Sequence, residues 1–125
     1  MTEQETLQFA ERFLGAIEHG DVATVRACYA PDARIWHNND DIEQTVDQNV
    51  RVLEWIMRKL PDRRYRVIRR QALPDGFLQQ HVLEATLPDG TPWHLPACVV
   101  VRIQDGLITR LDEYLDSAHT LALSR

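Results

Sequence analysis

Apolar side chains recur at helical spacing at the start of the chain, where Leu7, Ala10, Phe13, Leu14 and Ile17 share one face. Thr2, with Glu5 three residues on, supplies a capping box for a helix beginning there. Gly20 ends the run, at a place where a left-handed backbone costs glycine least. Asp21 is expected to cap a second helix through Tyr29, with Val22, Val25, Cys28 and Tyr29 inward and Pro31 preventing continuation. Residues 33–38 read as a short strand from Ile35 and Trp36, followed by a polar turn at Asn39, Asp40 and Asp41. One of these aspartates is expected to cap a third helix, whose stripe of Ile42, Val46, Val50, Leu53, Ile56, Met57 and Leu60 stops at Pro61.

Beyond Arg64 the period changes to two. Alternation predicts strands over 64–73, 77–87, 93–104 and 107–116, and the joints Asp75-Gly76, Asp89-Gly90 and Asp105-Gly106 supply residues that tolerate positive φ. Four strands joined in this way form an antiparallel meander. One apolar face of such a sheet needs a cover, and the three amphipathic helices are the candidates. The expected class is α+β, with three N-terminal helices packed on a curved antiparallel sheet, in one domain over 1–125.

Composition narrows the function. A length of 125 residues suits one core, and an apolar fraction of 44% is enough to build it. The net charge of -5 argues against nucleic acid as a partner, since phosphate binding relies on cations. Arg58, Lys59, Arg63, Arg64, Arg66, Arg69 and Arg70 gather around Asp62; they read as a charged strand edge that discourages aggregation, or as a contact for an anionic partner. Nothing before Glu11 resembles a leader, and no apolar run reaches the roughly 20 residues that span a membrane. No membrane partner and a cytoplasmic location are therefore expected. Cys28 and Cys98 sit in apolar stretches as packing residues. The histidines show no metal-ligand spacing, and no nucleophile elbow, phosphate loop or dinucleotide fingerprint is present, so neither a metal nor a cofactor is expected.

Several short stretches carry a resemblance. Tyr29-Ala30-Pro31-Asp32-Ala33, Trp36-His37-Asn38, Asp105-Gly106-Leu107-Ile108-Thr109 and Asp112-Glu113-Tyr114-Leu115-Asp116 resemble, in order and spacing, nuclear transport factor 2-like proteins of the polyketide-cyclase-like, or SnoaL-like, branch. The resemblance spans nearly the whole chain and implies a cone of helices over a curved sheet. Fold does not fix reaction here, because such cones host isomerases, epoxide hydrolases, cyclases, dehydratases and silent binders. Set against the limonene epoxide hydrolase branch, the water-holding Tyr-x-Asn pair falls on Trp36 and Asn38, and the last-strand aspartate on Glu113. The Arg-x-Asp pair falls on Gln80 and Val82, which lack its cation and its carboxylate. That departure speaks against epoxide hydrolysis by the same mechanism. Set against the steroid isomerase branch, the general base falls near Trp36-His37-Asn38-Asn39-Asp40, where Asp40 is a base or a helix cap and His37 has a pKa suited to proton transfer.

Period-two geometry assigns the faces. Leu95, Ala97, Val99, Val101 and Ile103 form a uniformly apolar row expected to face the helices, and Leu111, Glu113 and Leu115 follow it. Glu113 is then an acid among inward leucines, a position that calls for a partner or a raised pKa. It reads as a general acid or base, or as a rim residue that only holds Asn38 or Gln80. Trp36 is expected to wall the cavity or fill the core, with Asn38 orienting a water or carbonyl or making a local turn contact. The substrate-binding set is Trp36, Gln80, Val82, Leu95, Ala97 and Val99; the catalytic set is Glu113, Asn38 and His37, although His37 alternates away from Trp36. His81 is expected on the outer face unless a bulge or a register slip turns it inward. The outward set, Gln79, His81, Leu83, Cys98, Val100, Arg102 and Tyr114, has the mixed character of an interface and predicts a homodimer through the sheet. The expected ligand is a small hydrophobic molecule, handled by an isomerase, cyclase or hydratase, or bound without turnover.

Overall fold

The computed structural model describes residues 1–124. Its elements are α1 (Glu3–His19), α2 (Val22–Cys28), β1 (Tyr29–His37), β2 (Ile42–Gln44), α3 (Val46–Lys59), β3 (Arg64–Leu73), β4 (Gly76–Thr86), β5 (Pro92–Gln104), β6 (Leu107–Leu115), the short α4 (Ser117–Thr120) and a 3-10 turn, Leu121–Ser124. The Thr2–Glu5 capping box opens α1 and Gly20 closes it at φ 78. Asp21 caps α2 by accepting from the Thr24 amide.

Several expectations change here. The sheet is mixed and six-stranded, in the order β2-β1-β6-β5-β4-β3, because β1 pairs in parallel with β6. The three helices are not a single N-terminal block, since β1 and β2 come between α2 and α3. Ile42, read as the start of the third helix, lies in β2, and the cap of α3 is Thr45, which makes a capping box with Gln48. Asp40 instead accepts from the Ile42 amide within the turn, so the polar run there serves a β-hairpin. Pro31 sits inside β1, which begins immediately after α2.

The C-terminal meander follows the predicted strands closely. Its last joint has Asp105 at φ 53 and Gly106 at φ 78, the two left-handed residues that a tight hairpin turn requires. Gly76 is needed for a different reason: a Cβ there would lie 1.8 Å from the Val101 carbonyl oxygen. Register shifts between Val67 and Arg69 and between Arg102 and Ile103 bend the strands. The basic cluster ends on β3, which is indeed a sheet edge.

Two apolar clusters hold the fold. The larger joins Phe9, Phe13 and Ile17 of α1 to Ile35, Phe77, Val101 and Leu111 of the sheet. The smaller sets Leu60, at the end of α3, against Leu83, Trp93, Leu95 and the C-terminal Leu123. Trp93 also donates its indole N–H to the His119 carbonyl at 2.8 Å, tying the C-terminal turns over the sheet. Arg63 joins the helix ends from below, donating to the carbonyls of Ile17, Met57 and Leu60.

Candidate functional site

A cavity of about 330 Å³ opens between α3, the sheet and the C-terminal turns. Leu53, Ile56, Leu83, Leu95, Leu115 and Leu123 give it apolar walls. Ionisable residues line it too: Asp40 from the β1–β2 turn, Arg63, and His37, Tyr65, His81 and Glu113 from the sheet.

The sheet register explains why these groups meet. His37 of β1 is the direct partner of Glu113 of β6, Glu113 of Val99, and Val99 of Gln79. Directly paired residues share a face, so Gln79, Val99, Glu113 and His37 form one row across four strands. His81 is one step along the same face, opposite Ala97, which pairs in turn with Leu115. Tyr65 reaches the same hollow from β3, with its ring edge-to-face against His81 at 4.6 Å between centroids.

His37 Nε2 lies 3.0 Å from Glu113 Oε1, with the two side chains only 17% and 20% exposed. Burial opposes charge on His37, but the hydrogen bond and charge of Glu113, with the charge of Asp40, outweigh it and hold the imidazole above its ordinary value. His81 shifts the other way: burial pushes it down, the charge of Glu113 opposes this in part, and the nearby Arg70 adds a smaller lowering. The Tyr65 hydroxyl is raised, first by burial and then by the negative charge of Glu113. Tyr65 therefore stays protonated. Among the described residues, no buried side-chain nitrogen or oxygen lacks a partner. Glu113 Oε2 makes no hydrogen bond to the described residues and is left to the cavity that Glu113 lines.

The structure separates the sequence-predicted residues into two faces. Glu113 and His37 come together in the cavity, and Leu95 forms part of its wall. Val99 borders a smaller recess of about 50 Å³ that shares Glu113, His37 and Tyr65 with the main cavity. Ala97 pairs with His81 but does not line the cavity; it borders the groove shared with Gln80, Cys98 and Tyr114. Trp36, Asn38, Gln80 and Val82 are not in the cavity. Trp36 packs on Tyr114 at 5.3 Å and donates its N–H to Asp41 at 2.7 Å, on the outer side of the sheet. Asn38 exchanges two hydrogen bonds with the Leu115 backbone, extending β1 alongside β6 as a further strand residue would. Gln80 borders an outer groove with Cys98 and Tyr114, and Val82, though buried, belongs to neither core cluster.

The faces of β1 and β4 are thus the reverse of those expected. The placement of Gln80 and Val82 was carried by a two-residue motif, and a slip of one position reverses every side chain. The alternation of β4 itself points the right way, since Phe77, Leu83 and Ala85 share a parity with Gln79 and His81. Those two polar residues conceal the pattern because they satisfy each other, Gln79 Nε2 lying 2.9 Å from His81 Nδ1. The outward set consequently loses Gln79, His81 and Leu83, all of which are buried on the inner face. Tyr65 was missed; its pairing with Leu83 across the β3–β4 hairpin is the signal that would have found it.

Among the described residues, no group of three or more His, Cys, Asp or Glu could hold a metal, and no helix is long and apolar enough to cross a membrane.

With that geometry in view, the relationships of the chain fall into place. Residues 10–111 match the SnoaL-like domain, and the chain belongs to that family. No curated protein matches it in sequence. Among solved structures it is similar to AclR of Streptomyces galilaeus, provisionally assigned as a hydroxylase, at 17% identity over 98% of this chain and 87% of that one, TM-score 0.86. It is similar to IdmH of Streptomyces antibioticus, provisionally assigned as a polyketide cyclase, at 20% identity over 95% and 97%, TM-score 0.83. An LEH-like epoxide hydrolase of M. tuberculosis aligns at 20% identity over 98% and 92%, TM-score 0.77. At such identities the likeness establishes the nuclear transport factor 2-like fold.

Proposed function

We propose that this protein is a cofactor-independent acid/base enzyme of the isomerase, cyclase or hydratase type, acting on a small apolar molecule, with Glu113 as the base. One observation carries the reading: a carboxylate in an apolar hollow has one oxygen held by His37 at 3.0 Å and its other oxygen open to the cavity. A base in that position is oriented and partly desolvated, and its removal from bulk water strengthens every charge interaction with a bound molecule. His37 then acts as the positioning partner that holds one oxygen of Glu113. Leu95 and Val99 supply apolar contact. The names carried by similar structures, cyclase and epoxide hydrolase among them, agree with small-molecule chemistry in such a cone. Epoxide hydrolysis of the kind weighed above is disfavoured, because the inward positions of β4 carry Gln79 and His81, neither a guanidinium nor a carboxylate.

The test is a panel of neutral cyclic and aryl ketones incubated with the protein in D2O, with the α-proton signal followed by NMR. Loss of that signal above the buffer rate for at least one ketone supports the base. Binding of ketones without any exchange would instead identify a non-catalytic ligand binder using the same hollow.

The homodimer expected from the sequence is retained as a proposal on a revised surface. Ile68 and Tyr114 of the outer face are 61% and 51% exposed, and Cys98 and Val100 lie half-buried on the same side. Sedimentation that gives the monomer mass at micromolar concentration would refute it.

A further inference from the structure

We propose that Arg70 and Gln79 are positioning residues that fix His81 as a neutral imidazole with its proton on Nε2, and that this N–H takes the carbonyl oxygen of a neutral ketone substrate. The second half rests on the reading of Glu113 as a base.

The chain of inference begins at the strand edge. Two residues of β3, Val67 and Ile68, stand where β4 offers one, so the alternation of β3 flips beyond that point. Without this bulge Arg69 would take the inward parity; with it Arg70 does, opposite Gln79. Arg70 Nε donates to Gln79 Oε1 at 2.7 Å. A guanidinium has no acceptor, so the atom of Gln79 facing it must be the amide oxygen. That settles the amide orientation, and the Gln79 NH2 is left facing His81 Nδ1 at 2.9 Å. Nδ1 therefore accepts. A proton on Nδ1 would set two donors against each other where Gln79 is 0% and His81 2% exposed.

The ring proton is left on Nε2. That atom makes no hydrogen bond to the described residues, among which no buried side-chain nitrogen lacks a partner. Nε2 is therefore accessible; His81 borders the cavity and its recess as well as the groove beside Cys98, and we take its N–H to meet the cavity. The arrangement is a fixed, neutral donor in a hollow that also holds a free carboxylate oxygen. Arg63, a cation in the same lining, is occupied with three backbone carbonyls. A neutral donor selects a neutral acceptor, and a carboxylate substrate would meet the charge of Glu113 while, among the described residues, Arg63 and His37 of the lining are already engaged.

In the reaction this implies, the α C–H bond of the ketone breaks and its proton passes to Glu113 Oε2. The electron pair moves onto the carbonyl oxygen as an enolate, which accepts the Nε2–H hydrogen bond while His81 keeps its proton. A preorganised donor aimed at the developing charge lowers the barrier because nothing reorients during the reaction.

Long-range nitrogen–proton correlation spectra of the 15N-labelled protein read the imidazole tautomer directly. The wild type is expected to show His81 as the Nε2–H tautomer at pH 7. Gln79→Glu replaces the donor facing Nδ1 with an acceptor, and is expected to convert His81 to the Nδ1–H or doubly protonated form and to slow ketone exchange by roughly 100-fold. Arg70→Gln, at the half-exposed strand edge, leaves the amide unoriented and should give a mixture of tautomers even if Gln79→Glu folds poorly. Nδ1–H or imidazolium in the wild type, or a wild-type pattern in a folded Gln79→Glu or Arg70→Gln protein, overturns the relay. The expected tautomers without exchange of any ketone would retain the relay and overturn the substrate role together with the base. Exchange that persists at the wild-type rate in Gln79→Glu despite a changed tautomer would overturn the substrate role of His81 alone.

Discussion

His37 and Glu113 are direct partners across the parallel pairing of β1 with β6, and their side chains meet on the inner face at 3.0 Å. A carboxylate taken out of water needs a partner, and the imidazole opposite supplies one, while the hydrogen bond and charge of the carboxylate hold the imidazole above its ordinary value.

That reciprocity is visible in a titration. The His37 ring, followed by NMR, is expected to titrate above its ordinary value of about 6.5. In Glu113→Gln, burial remains without the countercharge, and the midpoint should fall. The stability consequence has a definite sign. Because the folded value is the raised one, the pair's contribution is fully present below pH ~6.5 and is lost as pH rises through the folded value. Urea denaturation of wild type and His37→Ala should therefore converge toward alkaline pH.

His81 gives the opposite slope. Its folded value is lowered, first by burial, so in acid the unfolded chain takes up a proton that the native ring refuses. Stability from this group falls as pH drops below about 6.5. Comparing urea midpoints at pH 7 and pH 5 in wild type and His81→Asn should show a smaller acid loss in the variant.

Tyr29 supplies a structural control, since it borders the small recess but hydrogen-bonds to Asn49 rather than to His37 or Glu113. Its hydroxyl donates to Asn49 Oδ1 at 3.2 Å within the core, and Asn49 Nδ2 continues to Gln44 Oε1 at 3.2 Å. Tyr29→Phe strands the Asn49 oxygen, at a cost of about 1–3 kcal/mol. Chemical denaturation measures it, and the titration of His37 should be unchanged.

Much of this architecture was readable before any coordinates, and for physical reasons. Helix α1 carried both of its caps in the sequence. The hairpin turns carried their Asp-Gly pairs, and the uniform row from Leu95 to Val101 left no doubt about the inner face of β5. Glu113 stood out because it interrupts a leucine face. What could not be read was the register between distant strands. The parallel pairing of β1 with β6 joins residues far apart in the chain, and no local pattern announces which side of a nine-residue strand turns inward. Trp36 draws attention as the larger apolar group, yet it is His37 that faces the hollow. In β4 the clue was hidden by mutual satisfaction, since a buried glutamine and histidine that hydrogen-bond each other look like surface residues in a sequence.

The most direct test compares α-proton exchange of one bound ketone by wild type and Glu113→Gln in D2O, at saturating ketone and with native folding of both checked by NMR. The account predicts a loss of roughly 100-fold or more in the variant, the usual scale of general base catalysis. Equal rates in the two proteins would contradict it.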